Sequence, residues 1–557
     1  TGEVIAEIAA EIIVGFPWPK SMVWGSGSLR WVRPLHRILC VFDGEIVPFS
    51  VDGIASDDLT EGHRFMGATG PFRARSFDDY CAALENHFVV LEAADRKRRI
   101  LEDARTLCSQ KGLELVEDDG LLDEVAGMAE WPIPLLGSMD LGFLDLPPEV
   151  IRTSMRTHQR YFAVRGADGA LAPHFVAVAN IEASDGGALI AAGNARVLSA
   201  RLEDARFFWS EDRRKPLESR LDALAGVVFH AKLGTLRERV ARIEAMARAI
   251  APAVGADPDL AAAAARLAKA DLTTSMVGEF PELQGVMAGY YARAEGVDEA
   301  VAAAVADHYR PQGPSDEAPT APVTMAVALA DKMDTILGFF SIGEKPTGSR
   351  DPFALRRAAL GVIRIILENR LRLSLGEIIS ASQYPGEGVI GFFAERLKVL
   401  LRDQGARHDL VDAVFALGDD DLTRVVARVE ALGGFLGSEN GANLLAGYKR
   451  ASNILAAESR KGRLPSGAAT RPAGPAQEGA LFDALREVGP KVAAELDRED
   501  FAAALAALAS LRGPVDAFFD AVLVNSPAAA ERDNRLRLLA EVRDAMGQVA
   551  DFSLVSG

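Results

Sequence analysis

The sequence predicts a multidomain, mostly α-helical protein with a mixed α+β N-terminal part. Three observations carry that expectation. A chain of 557 residues is too long for one hydrophobic core, and at roughly 100–200 residues per domain it divides into about three to five units. Hairpin signals are confined to the residues before about 215, whereas apolar residues at helical spacing fill the remainder. One sharp break in composition, Lys461 to Gly479, is rich in Gly, Ala, Pro and Ser and precedes a last set of helical patterns.

Taken in order, Ile38 to Phe42, the pair Asp43-Gly44, and Glu45 to Pro48 read as two short strands around a tight turn, because Asp-Gly readily adopts positive φ. Asp78 to Ser109 alternates charged and apolar residues at helical spacing. Arg160 to Val164 and His174 to Ala179, separated by a Gly- and Asp-containing stretch, form a second expected hairpin. From about Pro216 the pattern is helical: Leu217 to Ala225, Leu236 to Ile250, Asp259 to Thr274, Asp298 to Tyr309 and Pro322 to Leu337. The expected divisions are 1–215, α+β; 216–375, helical; 376–435, a helical linker region; and 436–557, a small helical bundle with a mobile loop at 461–479.

Composition excludes several classes. Hydrophobic residues make up 49% and charged residues 25%, ordinary for a globular protein. No run of about 18 uncharged apolar residues appears, so no membrane span is expected. Cys40, Cys81 and Cys108 are too widely spaced for a zinc site or a disulfide framework, and fit small buried hydrophobes in a reducing cytoplasm. The formal net charge of −18 argues against a dispersed phosphate-binding surface, while leaving room for local basic patches.

Three polar stretches stand out. In the first, Trp24 to Pro34 with Glu61 to Phe65, Arg30, Arg33, His63 and Arg64 sit beside glycines and aromatics, which suits phosphate contact and base stacking. A strand edge whose arginines pair with acids fits equally. In the second, Ser154 to Phe162, the donors Arg156, His158 and Arg160 precede an aromatic pair, as in an RNA or protein contact or a solvated basic helix end. The third, Pro346 to Arg357, leads a Gly-Ser turn into a helix with Asp351 as N-cap and Pro352 at the first position. There Ser349, Arg350, Arg356 and Arg357 fit either an anionic ligand at the helix start or an internal salt-bridge cluster.

His230, Asp271 and Asp331 fall in the order of metal-dependent phosphohydrolase ligands, but Ala270 stands where a second His belongs before Asp271. The set is degenerate, and no bound metal is expected. A nucleotide phosphohydrolase is nevertheless the alternative reading. No GxSxG, HExxH or Walker A pattern appears, nor a synthetase ATP-binding signature. No catalytic residue is assigned.

Ordered strings then connect into a family. They include Trp24-Gly25-Ser26-Gly27, Gly62-His63-Arg64-Phe65, Glu130-Trp131-Pro132, Leu146-Pro147-Pro148-Glu149-Val150, and Met155 to Phe162. Further along are Lys232-Leu233-Gly234-Thr235, Lys269-Ala270-Asp271-Leu272, Met276 to Gly285, Ala328 to Lys332, and Pro346 to Leu360. Together the strings resemble the beta subunit of tetrameric bacterial glycyl-tRNA synthetase. Tyr448 to Leu455, Pro514 to Asp520, Val524-Asn525, Arg532 and Asn534-Arg535-Leu536 resemble the anticodon-binding bundle shared with arginyl-tRNA synthetase; that synthetase is a third reading, which lacks an ATP site here.

The resemblance implies a cytoplasmic α2β2 heterotetramer. Its alpha subunit carries the class II site for glycine, ATP and Mg, and the beta chain binds tRNA(Gly) without a cofactor of its own. It also implies a body-and-tail region over 1–215, an HD-like fold over 216–375, and a further segment before residue 1. The expected tRNA contacts are Arg30, Arg33, His63, Arg64, Arg156, His158, Arg160, Arg350, Arg356 and Arg357, with Arg532, Asn534 and Arg535 in the final bundle.

Overall fold

The computed structural model describes residues 1–68, 70–405 and 407–556. The chain divides into two compact units, Thr1–Asp212 and Arg213–Gly557.

The first unit opens with the helix Gly2–Gly15, none of whose residues is buried. An aromatic knot of Phe16, Trp18 and Trp31 follows, with ring centroids 4.5 to 5.8 Å apart. The expected first hairpin forms at Val41–Phe42 and Glu45–Ile46, and both Asp43 and Gly44 take positive φ. Ile38–Leu39 departs from it and runs parallel to Ile54–Asp57. The pattern over Asp78 to Ser109 resolves into two helices, Phe77–Asn86 and Ala93–Ser109. They are separated where Phe88 turns into the left-handed region and the Val90 N–H donates to Glu130 O.

A four-stranded antiparallel sheet forms the body of this unit, ordered Glu114–Leu115, Phe162–Arg165, Leu171–Ala179, Ile133–Ser138. Phe162–Arg165 and Leu171–Ala179 are the second expected hairpin, the latter strand starting three residues early. Ile100, Ala104 and Cys108, at i, i+4 and i+8 of the Ala93–Ser109 helix, pack on Phe162, Val164 and Val176. The Arg96 guanidinium fastens the same helix by donating to the carbonyls of Val90, Leu91 and Ala126.

The second unit is built around the helix Pro322–Ser341. Of its residues only Pro322, Thr335 and Ser341 escape burial. Such a helix is apolar almost all round and belongs at the centre of a bundle. Leu236–Ile250, Pro258–Leu267, Glu299–Asp307 and Leu355–Glu368 surround it. The first begins in a capping box of Thr235 and Glu238; the second has Asp257 as N-cap and Pro258 at its first position. Val389–Asp403, His408–Phe415 and Leu422–Leu436 lead to the last helices, Glu439–Ser459, Ala476–Asp497, Phe501–Ala509, Arg512–Ala521 and Ala529–Gly547. Phe501–Ala521 is apolar enough in length and composition to cross a membrane, but it is two helices carrying Arg512 and Asp516, packed on Ala476–Asp497.

In the sheet, Gly137 lies in register with Phe175, whose fully buried ring covers it and stacks on Tyr161 at 4.7 Å. A methyl group at Gly137 meets that ring head-on. Gly137→Ala is expected to lower stability by about 1–3 kcal/mol, read as an earlier urea midpoint. An unchanged midpoint would show that the strand yields freely.

Candidate nucleic-acid interface

The degenerate metal positions do not assemble. His230 ends the strand Val228–His230, its Nδ1 accepting from the Lys232 N–H and its ring edge-on to Phe339 and Phe353. Asp331 instead faces the Lys269 ammonium at 3.0 Å and the Arg239 guanidinium at 2.9 Å. Lys269 also donates to His308 Nε2 at 2.8 Å and lies 3.7 Å from the Tyr309 ring centre. His308 Nδ1 is 2.8 Å from Val305 O, which fixes that nitrogen as the donor. A lysine side chain thus answers the Asp331 carboxylate with a fixed cation. Among the described residues no group of three or more His, Cys, Asp or Glu is placed to hold a metal ion. That arrangement does not support the phosphohydrolase reading.

The burial of these groups shifts their protonation. Desolvation pulls Lys269 down to about 8 against the pull of Asp331. Burial acts to raise Asp331, but Lys269 and Arg239 outweigh it and hold the carboxyl well below its usual range. His308 is held neutral by burial and by the Lys269 charge. Asp271 accepts from the Gly285 N–H at 2.6 Å through one oxygen; the other is buried without a partner, and desolvation pushes this carboxyl up to about 6. Sequence inspection missed Arg239, Lys269 and His308. Their only local signal is an ionisable side chain within an otherwise apolar stretch.

The first polar stretch is largely open. Arg30 and Arg33 are exposed and, among the described residues, bond neutral groups only, Ser21 and the Val32 carbonyl. Arg64 is exposed and lies 5.5 Å over the ring of Phe65, which is 74% exposed. His63 is a correction: it is 5% exposed, and its Nδ1 accepts from the Phe65 N–H, so it shapes the turn from inside. In the second stretch Arg156 pairs with Asp118 at 2.5 Å and Arg160 with Glu124 at 2.6 Å. Those two guanidiniums are neutralised within the unit, and His158 beside them is half-buried.

In the third stretch the helix starts at Leu355, three residues later than the Asp351-Pro352 signal predicts, because Ala354 takes φ 55°. Asp351 still caps it, accepting from the N–H groups of Leu355 and Arg356. The Leu355 and Arg356 N–H groups at the helix start are therefore already taken by a carboxylate. Arg356 donates to Gly348 O and closes the loop. Arg350 and Arg357 are exposed and have no ion pair among the described residues.

In the final bundle, Arg532 pairs with the buried Glu458, which Lys461 also contacts at 2.8 Å. Hydrogen bonds from these two cations hold the Glu458 carboxyl down to about 2. Asn534 and Arg535 are corrections, 7% and 5% exposed. Asn534 bonds the backbone of Thr470, and Arg535 pairs with the buried Glu478 at 2.9 Å. Both face the interior because they join the 461–479 segment and its following helix to Ala529–Gly547.

Asp271 binds its proton more tightly folded, near 6, than at its ordinary value of 3.8. Its contribution is fully present below about 3.8 and is lost as pH rises through about 6. Asp271→Asn, which keeps an acceptor for Gly285, is expected to flatten the fall in stability across that window, measured by urea unfolding at several pH values. Asp331→Ala leaves Lys269 buried without its counterion and Arg239 with Asp334 alone, and is expected to cost about 3–5 kcal/mol. A cost below about 1 kcal/mol would refute the counterion role.

Comparison with known proteins places this geometry. A family model described as glycyl-tRNA synthetase beta subunit matches residues 1–416, and one described as DALR anticodon binding domain matches residues 444–552. A glycine–tRNA ligase beta subunit from Phenylobacterium zucineum is 65% identical over the whole of this chain and 83% of its own length. Counterparts from a Ruegeria species and from Rhodospirillum centenum are 52% and 51% identical, over 100% and 97% of this chain and 83% and 81% of theirs. Matched along its whole length by relatives of one kind, the chain belongs to the glycyl-tRNA synthetase beta subunit family.

Proposed function

We propose that this chain binds and positions tRNA(Gly), including its anticodon, so that a separate alpha subunit attaches glycine to the RNA 3′ end using ATP and Mg. The observation that carries the reading is the anticodon-binding family match over 444–552, inside a chain with relatives named glycine–tRNA ligase beta subunit at 51 to 65% identity. The bundle is of the arginyl-tRNA synthetase type. Residues 216–375 form an HD-like helical domain with an incomplete ligand set, Ala270 standing in place of the second His, and 376–435 bridge to the bundle. The working assembly is a cytoplasmic α2β2 heterotetramer.

The chemistry assigned to this chain is placement. Holding the acceptor end against a partner's active site converts an encounter into an intramolecular step, which lowers the barrier through lost translational and rotational freedom. Residues suited to the RNA backbone include the exposed cations Arg30, Arg33, Arg64, Arg350 and Arg357, which have no carboxylate partner among the described residues. Phe65 beneath Arg64 offers a stacking face for a base.

The test is aminoacylation of tRNA(Gly) by this chain alone, by alpha alone and by the mixture. Only the mixture is expected to charge the RNA at a useful rate. Efficient glycylation by this chain alone would overturn the division of labour. Binding of tRNA(Gly) is expected to weaken as salt rises, with the slope of log K on log salt falling by about one for each phosphate contact removed, as in Arg33→Ala or Arg64→Ala.

A further inference from the structure

The segment after the Glu439–Ser459 helix has an unusual charge. From Ser459 to Gln477 there are four cations, Arg460, Lys461, Arg463 and Arg471, and no acidic residue, in a chain of net charge −18. Its Gly and Pro content reads as a loose loop, but the structure ties it down. The Ala469 N–H donates to Glu541 Oε1 at 2.9 Å, and the Thr470 N–H to Asn534 Oδ1 at 2.8 Å. Asn534 Nδ2 returns a bond to Thr470 O at 2.9 Å, and Arg537 Nε donates to Ser466 O at 3.0 Å. Arg486 reinforces the anchor by bonding Glu541 at 2.8 Å. Asn534, Arg537 and Glu541 stand at i, i+3 and i+7 on the Ala529–Gly547 helix, a single face. Three side chains therefore hold the backbone from Ser466 to Thr470 against one rail.

That anchoring fixes where the cations lie. Lys461 is 65% exposed and shares Glu458 with Arg532, so two cations meet one carboxylate. Arg471 pairs with Asp483 at 2.7 Å. Arg460 and Arg463 are exposed and make no ion pair among the described residues. Beside them on the helix, Arg450 lies 4.4 Å over the ring of Phe519. Arg450, Asn453 and Arg460 are exposed at i, i+3 and i+10, again one face. An exposed guanidinium face next to an aromatic ring is the surface that RNA backbones and unstacked bases use.

We propose that the Arg460–Arg471 segment is the phosphate-contacting edge of the anticodon-binding domain, with Arg460 and Arg463 touching RNA and Asn534, Arg537 and Glu541 acting as positioning residues that hold the segment in place. The ligand is the sugar-phosphate backbone of the anticodon arm. The proposal rests on the tRNA-binding reading given above and adds the surface that carries it.

The experiment measures binding of tRNA(Gly) to the full chain over a salt series, for the native protein and for matched variants. Arg460→Ala with Arg463→Ala is expected to weaken binding at least tenfold near 0.1 M salt and to reduce the salt slope by about 1.5 to 2. Arg460→Lys with Arg463→Lys is expected to keep the native slope. Glu541→Ala is expected to weaken binding with its thermal unfolding little changed, and Glu541→Gln, which still accepts from the Ala469 N–H, to restore it. Native affinity and slope in the double alanine variant would overturn the proposed edge. Equal binding by Glu541→Ala and Glu541→Gln would overturn the positioning role. Absence of tRNA binding by the native chain is a different result, and refutes the tRNA-binding reading itself.

Discussion

Burying the Pro322–Ser341 helix requires that the charges of Asp331, Lys332 and Asp334 be answered inside the fold, and much of the second unit is arranged around that requirement. Isolated charges in a low-dielectric interior are strongly unfavourable, so each needs a partner and a fixed geometry. Arg239 and Lys269 reach Asp331, Arg242 reaches Asp334 at 2.7 Å, and Lys332 donates to the Tyr309 carbonyl at 2.8 Å. These partners come from three different elements and so set how those elements pack. The requirement extends further: the Lys332 stem lies where a side chain at Gly361 would begin, which lets the Leu355–Glu368 helix approach closely. Arg242 in turn lies over the Tyr384 ring at 5.3 Å, drawing in the loop after Leu375–Ser380.

How much of this was legible in the sequence depends on how far apart the interacting residues are. Local rules performed well where the physics is local. The Asp43-Gly44 turn and the Asp351 cap are present, and Leu236 to Ile250 and Pro322 to Leu337 fall in long helices. Leu217 to Ala225 instead forms a 3-10 helix, and the Asp259 to Thr274 pattern breaks after Leu267. The same rules placed the start of the Leu355 helix too early, because no propensity announces that Ala354 adopts a left-handed backbone. Side-chain partners were the hidden part. Asn534 and Arg535 look like free polar residues on an amphipathic helix, yet their partners Thr470 and Glu478 lie 64 and 57 positions away. Only the folded chain pairs them.

The acidic composition and the expected RNA contacts are reconciled by pairing. Most arginines near carboxylates are neutralised in place, as Arg156 is by Asp118, Arg160 by Glu124 and Arg372 by Glu499 and Asp421. What an approaching polyanion meets is set by the cations left over, among them Arg30, Arg33, Arg64, Arg350, Arg357, Arg460 and Arg463. A strongly negative body disfavours loose association with any polyanion, so contact with one is favourable only where cations lack carboxylate partners.

The Lys269 ammonium at the heart of the second unit has a broader consequence. The Asp331 carboxylate is answered by a cation carried on the chain itself, 3.0 Å away. That pairing forms whenever the chain folds and does not vary with the concentration of any solute, unlike an interaction with a bound ligand.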